Sequence, residues 1–422
     1  MLNKLQQAAA SKASYRRGNS GSRTDQPPYE FRRALPWAAF VAMLFWLNYS
    51  GRATLSPLLV SVEHDLNVGH AAATSLLFMQ SLGFCIAQFM CGFFLSRIRP
   101  CRMTAFSLTF SGLAFLLMPL AHSLEIARPI FFAFGFFAGF YFPAAMSTLS
   151  SLVYPEDWGK AVAVHEFAPN VGFICIPLVA QALLLALPWQ GVFFAVGLSL
   201  LCGGLAFAAF GRGGRAYAAP PSFRGVHDIA ASPAAWALMS LLAISCIGEF
   251  SVYSILQVYL VQDVHFSPAG ANMAIAAARV LTPAAVVIGG VIADRKNPYI
   301  VLAGGLILHA VALTLMCLPS RFTALPGMGL QAFSIALLFP SLFKVMALAF
   351  PADRQALVMS LTMPLASLIS AGIIPMFLGW CGETWNFRTG LAVIGAASLF
   401  SLLSVRILRR CGSGKNSEPE SD

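Results

Sequence analysis

Twelve apolar stretches follow one another between Leu35 and Leu408, each long enough to cross a lipid bilayer. A helix rises about 1.5 Å per residue and the hydrocarbon core is roughly 30 Å thick, so one crossing takes about 20 apolar residues. The stretches lie near 36–60, 71–95, 103–121, 128–152, 161–186, 189–211, 234–261, 268–293, 298–318, 325–350, 356–380 and 388–408. Backbone groups in lipid must be hydrogen-bonded within the protein, so spans of this length are predicted to be helices and the chain an all-α membrane protein. The residues are 58% hydrophobic and 10% charged, against about 25% charged in an ordinary soluble domain, so this surface needs lipid around it.

A net charge of +10 suggests nucleic acid until the positions are read. Arg16, Arg17, Arg32, Arg33, Arg97, Arg99, Arg102, Lys160, Arg212, Arg215, Arg295, Lys296, Arg354, Arg409 and Arg410 all fall on one side of the membrane, whereas Arg128, Arg321 and Arg388 fall on the other. That asymmetry predicts both termini in the cytoplasm, a multi-pass protein of a bacterial-type inner membrane, and no nucleic-acid partner. Residues 1–34 are polar, without the apolar core of a cleavable signal, and read as a disordered cytoplasmic tail. The cysteines show neither C-x-x-C nor metal-ligand spacing with histidine, so no disulfide framework, metal or other cofactor is expected.

The Gly-, Pro- and Arg-rich stretch after the sixth span reads as a linker. It divides the chain into a bundle over 35–211, a linker over 212–232, a second bundle over 233–410 and a tail over 411–422. Asp65 and Asp263, Gly92 and Gly290, Arg97 and Arg295, and Pro177 and Pro375 are each 198 residues apart. A duplicated six-helix unit is the simplest account, and parallel repeats of this kind hold substrate between the halves near mid-membrane. The segment Gly290-Val-Ile-Ala-Asp294-Arg295-Lys296, with Asn170-Val-Gly172 and Pro177 in the fifth span, resembles the major facilitator superfamily over nearly the whole chain. The resemblance implies twelve transmembrane helices in two pseudo-repeats, function as a monomer, and a conformational latch at Asp294, Arg295 and Arg97. The first-half copy has Ser96 where the latch acid stands.

Arg52, His165, Glu166, Glu249, Arg279 and Lys344 lie within spans. A charge at a span's centre costs roughly 2.5–3.5 kcal/mol on insertion scales, so each is expected to face a partner or a wet cavity. Asn48, Arg52 and Ser56 are four apart and share a helix face, where an arginine fork suits a carboxylate or phosphate. Tyr49-x-x-Arg52 resembles the organophosphate antiporters and anion-cation symporters, and Arg279 the carboxylate-pairing arginine of oxalate:formate antiporters and monocarboxylate transporters. The competing role for Arg279 is a fixed ion pair with Glu249. Glu249 leads Tyr253 and Gln257 at helical spacing, a stripe suited to a cavity wall. Arg52, Arg279, Asn48, Tyr253, Gln257 and Lys344 are therefore the candidate substrate ligands, Lys344 alternatively snorkelling to the surface. Glu249, Glu166 and His165 are the candidate proton-coupling groups, the last two alternatively a cytoplasmic gate pair.

Three buried bases against two buried acids leave a positive cavity that an anion would balance. The expected function is secondary active transport of a small organic anion, of carboxylate type by its arginines, coupled to protons or to exchange. The alternatives are proton-driven efflux of amphipathic or cationic compounds, and a transporter-like sensor or membrane-embedded enzyme. No nucleophile constellation, H-E-x-x-H or nucleotide-binding loop is present in the sequence to support an enzyme or a primary pump.

Overall fold

The computed structural model describes residues 29–214, 226–280, 282–318 and 320–413. Among the described residues, eleven helices are long and apolar enough to cross a membrane: α2 (His70–Leu95), α3 (Pro100–Leu120), α4 (Leu124–Ser150), α5 (Pro155–Leu184), α6 (Trp189–Phe210), α7 (Pro233–Gln262), α8 (Pro268–Gly289), α9 (Pro298–Cys317), α10 (Arg321–Ala349), α11 (Leu357–Thr384) and α12 (Phe387–Arg410). The helix ahead of them, α1 (Phe31–Ala53), completes the first set of six. Its last turns carry Asn48, Tyr49, Ser50 and Arg52, polar groups that lower its mean hydropathy.

The duplication is visible in the packing. Helix α1 packs on α5 and α6, α2 on α4, and α3 on α4 and α6; six elements later, α7 packs on α11 and α12, α8 on α10, and α9 on α10 and α12. Asp65, beyond α1, accepts hydrogen bonds from Trp189 Nε1 at 2.8 Å and Gln190 Nε2 at 3.0 Å. The copy 198 residues on places Asp263 beside Arg388, whose guanidinium donates to the Asp263 carbonyl at 2.6 Å and stands 3.7 Å from its carboxylate. Burial pushes the Asp263 carboxyl above its ordinary value, and Arg388 pulls the other way. Each half thus ties the end of its first helix to the start of its sixth. Trp189 is consequently 3% exposed, a core residue rather than a headgroup anchor.

Two boundaries differ from the sequence reading. The first helix begins at Phe31 rather than 35, steadied by Tyr29 N–H donating to the Leu152 carbonyl at 2.8 Å and Phe31 N–H donating to Asp157 at 3.3 Å. Within the expected linker, Val226–Ala230 forms a short helix. Residues 1–28, 215–225 and 414–422, where the expected tails and most of the linker fall, lie outside the described residues.

Among the described residues the two halves are hydrogen-bonded to each other at the end distal to the chain termini. Ser56 Oγ donates to the Tyr253 carbonyl at 2.6 Å, and Gln257 Nε2 to the Pro57 carbonyl at 2.6 Å. Asn272 donates to the Pro57 carbonyl at 3.3 Å and to Gln181 at 3.1 Å, and Ala71 N–H donates to Glu383 at 2.9 Å. His70 spans the seam, with Nδ1 2.8 Å from Glu63 and Nε2 2.9 Å from Gln262. Only the Gln262 contact crosses the seam, and one such bond is worth about 1 kcal/mol, so replacing His70 with alanine should raise the population of distally open molecules roughly fivefold. Spin-label distances between the distal ends of α2 and α11 would report it; an unaltered distribution would remove His70 from the closure.

Candidate functional site

The site forms where α1 stops being an α-helix. Pro57 has no N–H to continue the ladder, and the chain passes into a 3₁₀ turn at Ser56–Leu58 before a short helix at Leu59–Leu66. The carbonyl of Arg52 is among the last four of α1 and lacks an intrahelical donor. Gln80 Nε2, on α2, supplies one at 3.1 Å. Close approach of α4 to α2 holds Gln80 there: a Cβ added at Gly135 would stand 1.9 Å from the Gln80 carbonyl oxygen.

A cavity of about 400 Å³, including its open mouth, lies between the halves. Tyr49, Arg52 and Ser56 of the first segment, Leu77 and Gln80 of α2, Phe173 of α5, Phe250, Tyr253 and Ser254 of α7, and Ala371 of α11 line it. The Arg52 guanidinium carbon sits 4.1 Å from the ring centroid of Phe84, 5.2 Å from Phe250 and 5.7 Å from Tyr49. Aromatic faces partly offset its desolvation. No carboxylate pairs with it among the described residues.

Arg279 is one layer deeper and 2% exposed, 4.4 Å from the Phe173 centroid and 5.4 Å from Tyr253. Its Nη2 has no hydrogen-bond partner, and neither has the hydroxyl of Tyr253. The permanent Arg279–Glu249 ion pair is not formed: no such contact within 4.0 Å exists among the described residues, although the field of Arg279 reaches Glu249. Arg52 in the cavity wall, with the Arg279 Nη2 and Tyr253 hydroxyl donors beside it, leaves this region short of acceptors among the described residues.

Other expected ligands have different partners. Asn48 is 1% exposed and donates to the Ala138 carbonyl at 3.3 Å, tying α1 to α4. Gln257 uses both ends of its amide on the distal seam, donating to Pro57 and accepting from Val60 N–H at 3.3 Å. The Glu249–Tyr253–Gln257 stripe is broken because Ile247–Ser251 forms a π-turn, which inserts a residue into the α-helical phase. Phe250, Tyr253 and Ser254 therefore face the cavity, and Glu249 lies half-buried beside it. A second π-turn at Ile369–Ile373 packs on the first, with Ser251 Oγ donating to the Ser370 carbonyl.

His165 is fully buried in the first half, stacked on Phe45 at 4.2 Å, with Nδ1 3.0 Å from Glu166. Glu166 is 45% exposed, and its field reaches Glu249. Lys344 is half-buried on α10, outside the cavity lining. Arg97 and Arg295 are exposed, and the side chain of Asp294 lies outside the described residues.

Gln80, Phe84, Phe173 and Phe250 were not singled out by the sequence reading. Gln80 carried a usable signal, being an amide inside an apolar span. The same holds for His309, fully buried on α9, with Nδ1 3.0 Å from Ser398 Oγ and Nε2 3.5 Å from Gln331. Gln331 Nε2 in turn donates to the Gly248 carbonyl in the first π-turn at 2.7 Å, supplying a donor where the helical ladder is disturbed.

The family model described as Major Facilitator Superfamily matches residues 41–244 and, a second time, residues 238–421. A protein of Escherichia coli (strain K12) described as "Probable L-galactonate transporter" is 22% identical over 152 residues, 36% of this chain and 34% of its own length. The chain thus spans about a third of that relative. Among solved structures, a bacterial homologue of the human lysosomal transporter Spinster, inward-facing and unoccupied, aligns with a TM-score of 0.72 at 14% identity, covering 93% of this chain and 97% of that one. A D-xylose-proton symporter aligns with a TM-score of 0.71 at 14% identity over 88% and 97% of the two chains.

Proposed function

The chain belongs to the major facilitator superfamily, and on that premise we propose that this secondary transporter carries a small organic anion, of carboxylate type, by alternating access between its two halves. One observation carries the reading: among the described residues, Arg52 faces the inter-half cavity without a carboxylate partner, while Arg279 Nη2 and the Tyr253 hydroxyl nearby are buried donors lacking acceptors. An arriving carboxylate would accept from Arg52, and a small rotation of the Phe173–Tyr253 pair would bring Arg279 to it. The galactonate named for the Escherichia coli relative is itself a carboxylate. The cavity is completed by both halves of one chain, so a monomer suffices.

With both termini in the cytoplasm of a bacterial-type inner membrane, the distal hydrogen bonds close the external face, and the conformation is the one loaded or emptied from inside. The exposed Arg97 and Arg295, with Asp294, would latch the cytoplasmic ends in the opposite state. Glu249, without hydrogen bond or ion pair among the described residues, is the group proposed to exchange a proton; Glu166, with His165 buried behind it, would pass that proton toward the cytoplasm. Protonation drives transport only if the two states bind the proton unequally. Glu249→Gln should therefore abolish the response of carboxylate uptake to an imposed pH gradient while retaining carboxylate exchange at equal pH. Loss of both activities would give Glu249 a binding role instead.

Uptake by reconstituted vesicles tests the reading, using D-gluconate, lactate, citrate, glycerol 3-phosphate and ethidium, with and without a pH gradient. Carboxylate accumulation is the expected result. The unpaired Glu249 favours one second reading, export of an amphipathic cation against the aromatic wall. Ethidium transport that survives Arg52→Gln and is lost in Glu249→Gln would establish that reading in place of the first.

A further inference from the structure

The amide of Gln80 is held in one orientation by its own chemistry. Nε2 stands 3.1 Å from the Arg52 carbonyl oxygen; turning the amide over would set two carbonyl oxygens against each other at that distance, so the nitrogen must face Arg52. Oε1 is then directed elsewhere, and it is a buried acceptor with no hydrogen-bond partner among the described residues, in a residue only 4% exposed. Gln80 also lines the same cavity as Arg52. A carboxylate cannot satisfy this oxygen, because both are acceptors and carry negative potential. The group that fits it is a hydrogen-bond donor.

Resting on the anion reading above, we infer that Gln80 is a specificity-determining residue, whose Oε1 accepts a hydrogen bond from a hydroxyl on the carbon chain of the bound acid. The arginine and the amide are joined through the Arg52 carbonyl, so charge recognition and hydroxyl recognition are set at a fixed separation. The cargo class is a hydroxylated acid, and a plain alkyl acid of equal length is rejected because it leaves Oε1 buried and unpaired. Sites built to hydrogen-bond a hydroxyl discriminate strongly against analogues lacking it.

The test compares matched acids that differ only in hydroxyl content: lactate with propionate, 3-hydroxybutyrate with butyrate, and D-gluconate with hexanoate. Affinities are read by titration calorimetry on the purified full chain in nanodiscs, for wild type and Gln80→Met, a substitution that keeps length and removes the acceptor. In the wild type at least one hydroxylated acid should bind roughly tenfold or more tighter than its partner. In Gln80→Met that ratio should fall toward one, chiefly through weaker binding of the hydroxylated acid. Equal wild-type affinity within every pair would overturn the inference while leaving the anion reading intact, and needs no variant to fold. A preference that persists in Gln80→Met would likewise overturn it. Absence of binding by every acid would remove the anion reading and this inference together.

Discussion

Arg52→Gln leaves a folded protein of equal or greater thermal stability that no longer takes up carboxylates. Both halves of this outcome follow from the absence of a carboxylate partner among the described residues. The guanidinium is seated against Phe84, Phe250 and Tyr49 with no counter-carboxylate. Removing it therefore strands no buried acid, and relieves part of the roughly 2.5–3.5 kcal/mol that a charge inside a span costs. Binding responds in the opposite direction. Truncating one member of a desolvated, hydrogen-bonded charge pair costs about 2–5 kcal/mol, a loss of roughly 30-fold upward in affinity. Uptake in vesicles and thermal unfolding in detergent read the two effects separately. An arginine serving only as a structural plug would give the reverse pattern, a lowered melting temperature with transport retained.

The second large effect is expected at Gly135. An added Cβ would lie 1.9 Å from the Gln80 carbonyl oxygen and 2.7 Å from its carbonyl carbon. Both are backbone atoms of α2, so no side chain can swing aside. The neighbouring contact is also too close for a Cβ, since one at Gly83 would meet the Phe132 carbonyl at 2.3 Å. Overpacking typically costs about 1–3 kcal/mol and more where backbone must separate. Gly135→Ala should lower the melting temperature and weaken binding, because it displaces the residue that caps the Arg52 carbonyl. Gly135→Leu should give little monodisperse protein. Gly304→Ala and Gly329→Ala, where nothing lies within 4 Å, are the controls and should behave as wild type. A Gly135→Leu protein recovered at normal yield would show that α2 and α4 do not need this approach.

The helices, the two halves and the central arginines were legible because they depend on local composition and on a period that the chain repeats. The 198-residue offset even located structural equivalents, with Asp65 and Asp263 both clamping the start of a sixth helix. Side-chain employment was less legible, because hydrogen bonds are allotted by tertiary contacts. Asn48 and Gln257 carry the right chemistry on the right helices, yet Ala138 and the Pro57–Val60 turn consume them. Glu249 was placed on a cavity stripe by a 3.6-residue period, and the π-turn at Ile247–Ser251 rotates it off that stripe. Gln80 carries a signal in the sequence, as an amide inside an apolar span, but its role depends on a tertiary contact: its unpaired oxygen is apparent only once its nitrogen is seen bonded to the Arg52 carbonyl.

The most direct measurement sets an acid against its neutral isostere. Calorimetric titration of the purified chain in nanodiscs with D-gluconate and with D-gluconamide, repeated in Arg52→Gln, isolates the negative charge while hydroxyls and size are held constant. Gluconate binding that is lost in the amide and in the variant alike is the predicted result. Equal binding of acid and amide, undiminished by Arg52→Gln, would contradict the assignment of these guanidinium groups to an anionic cargo.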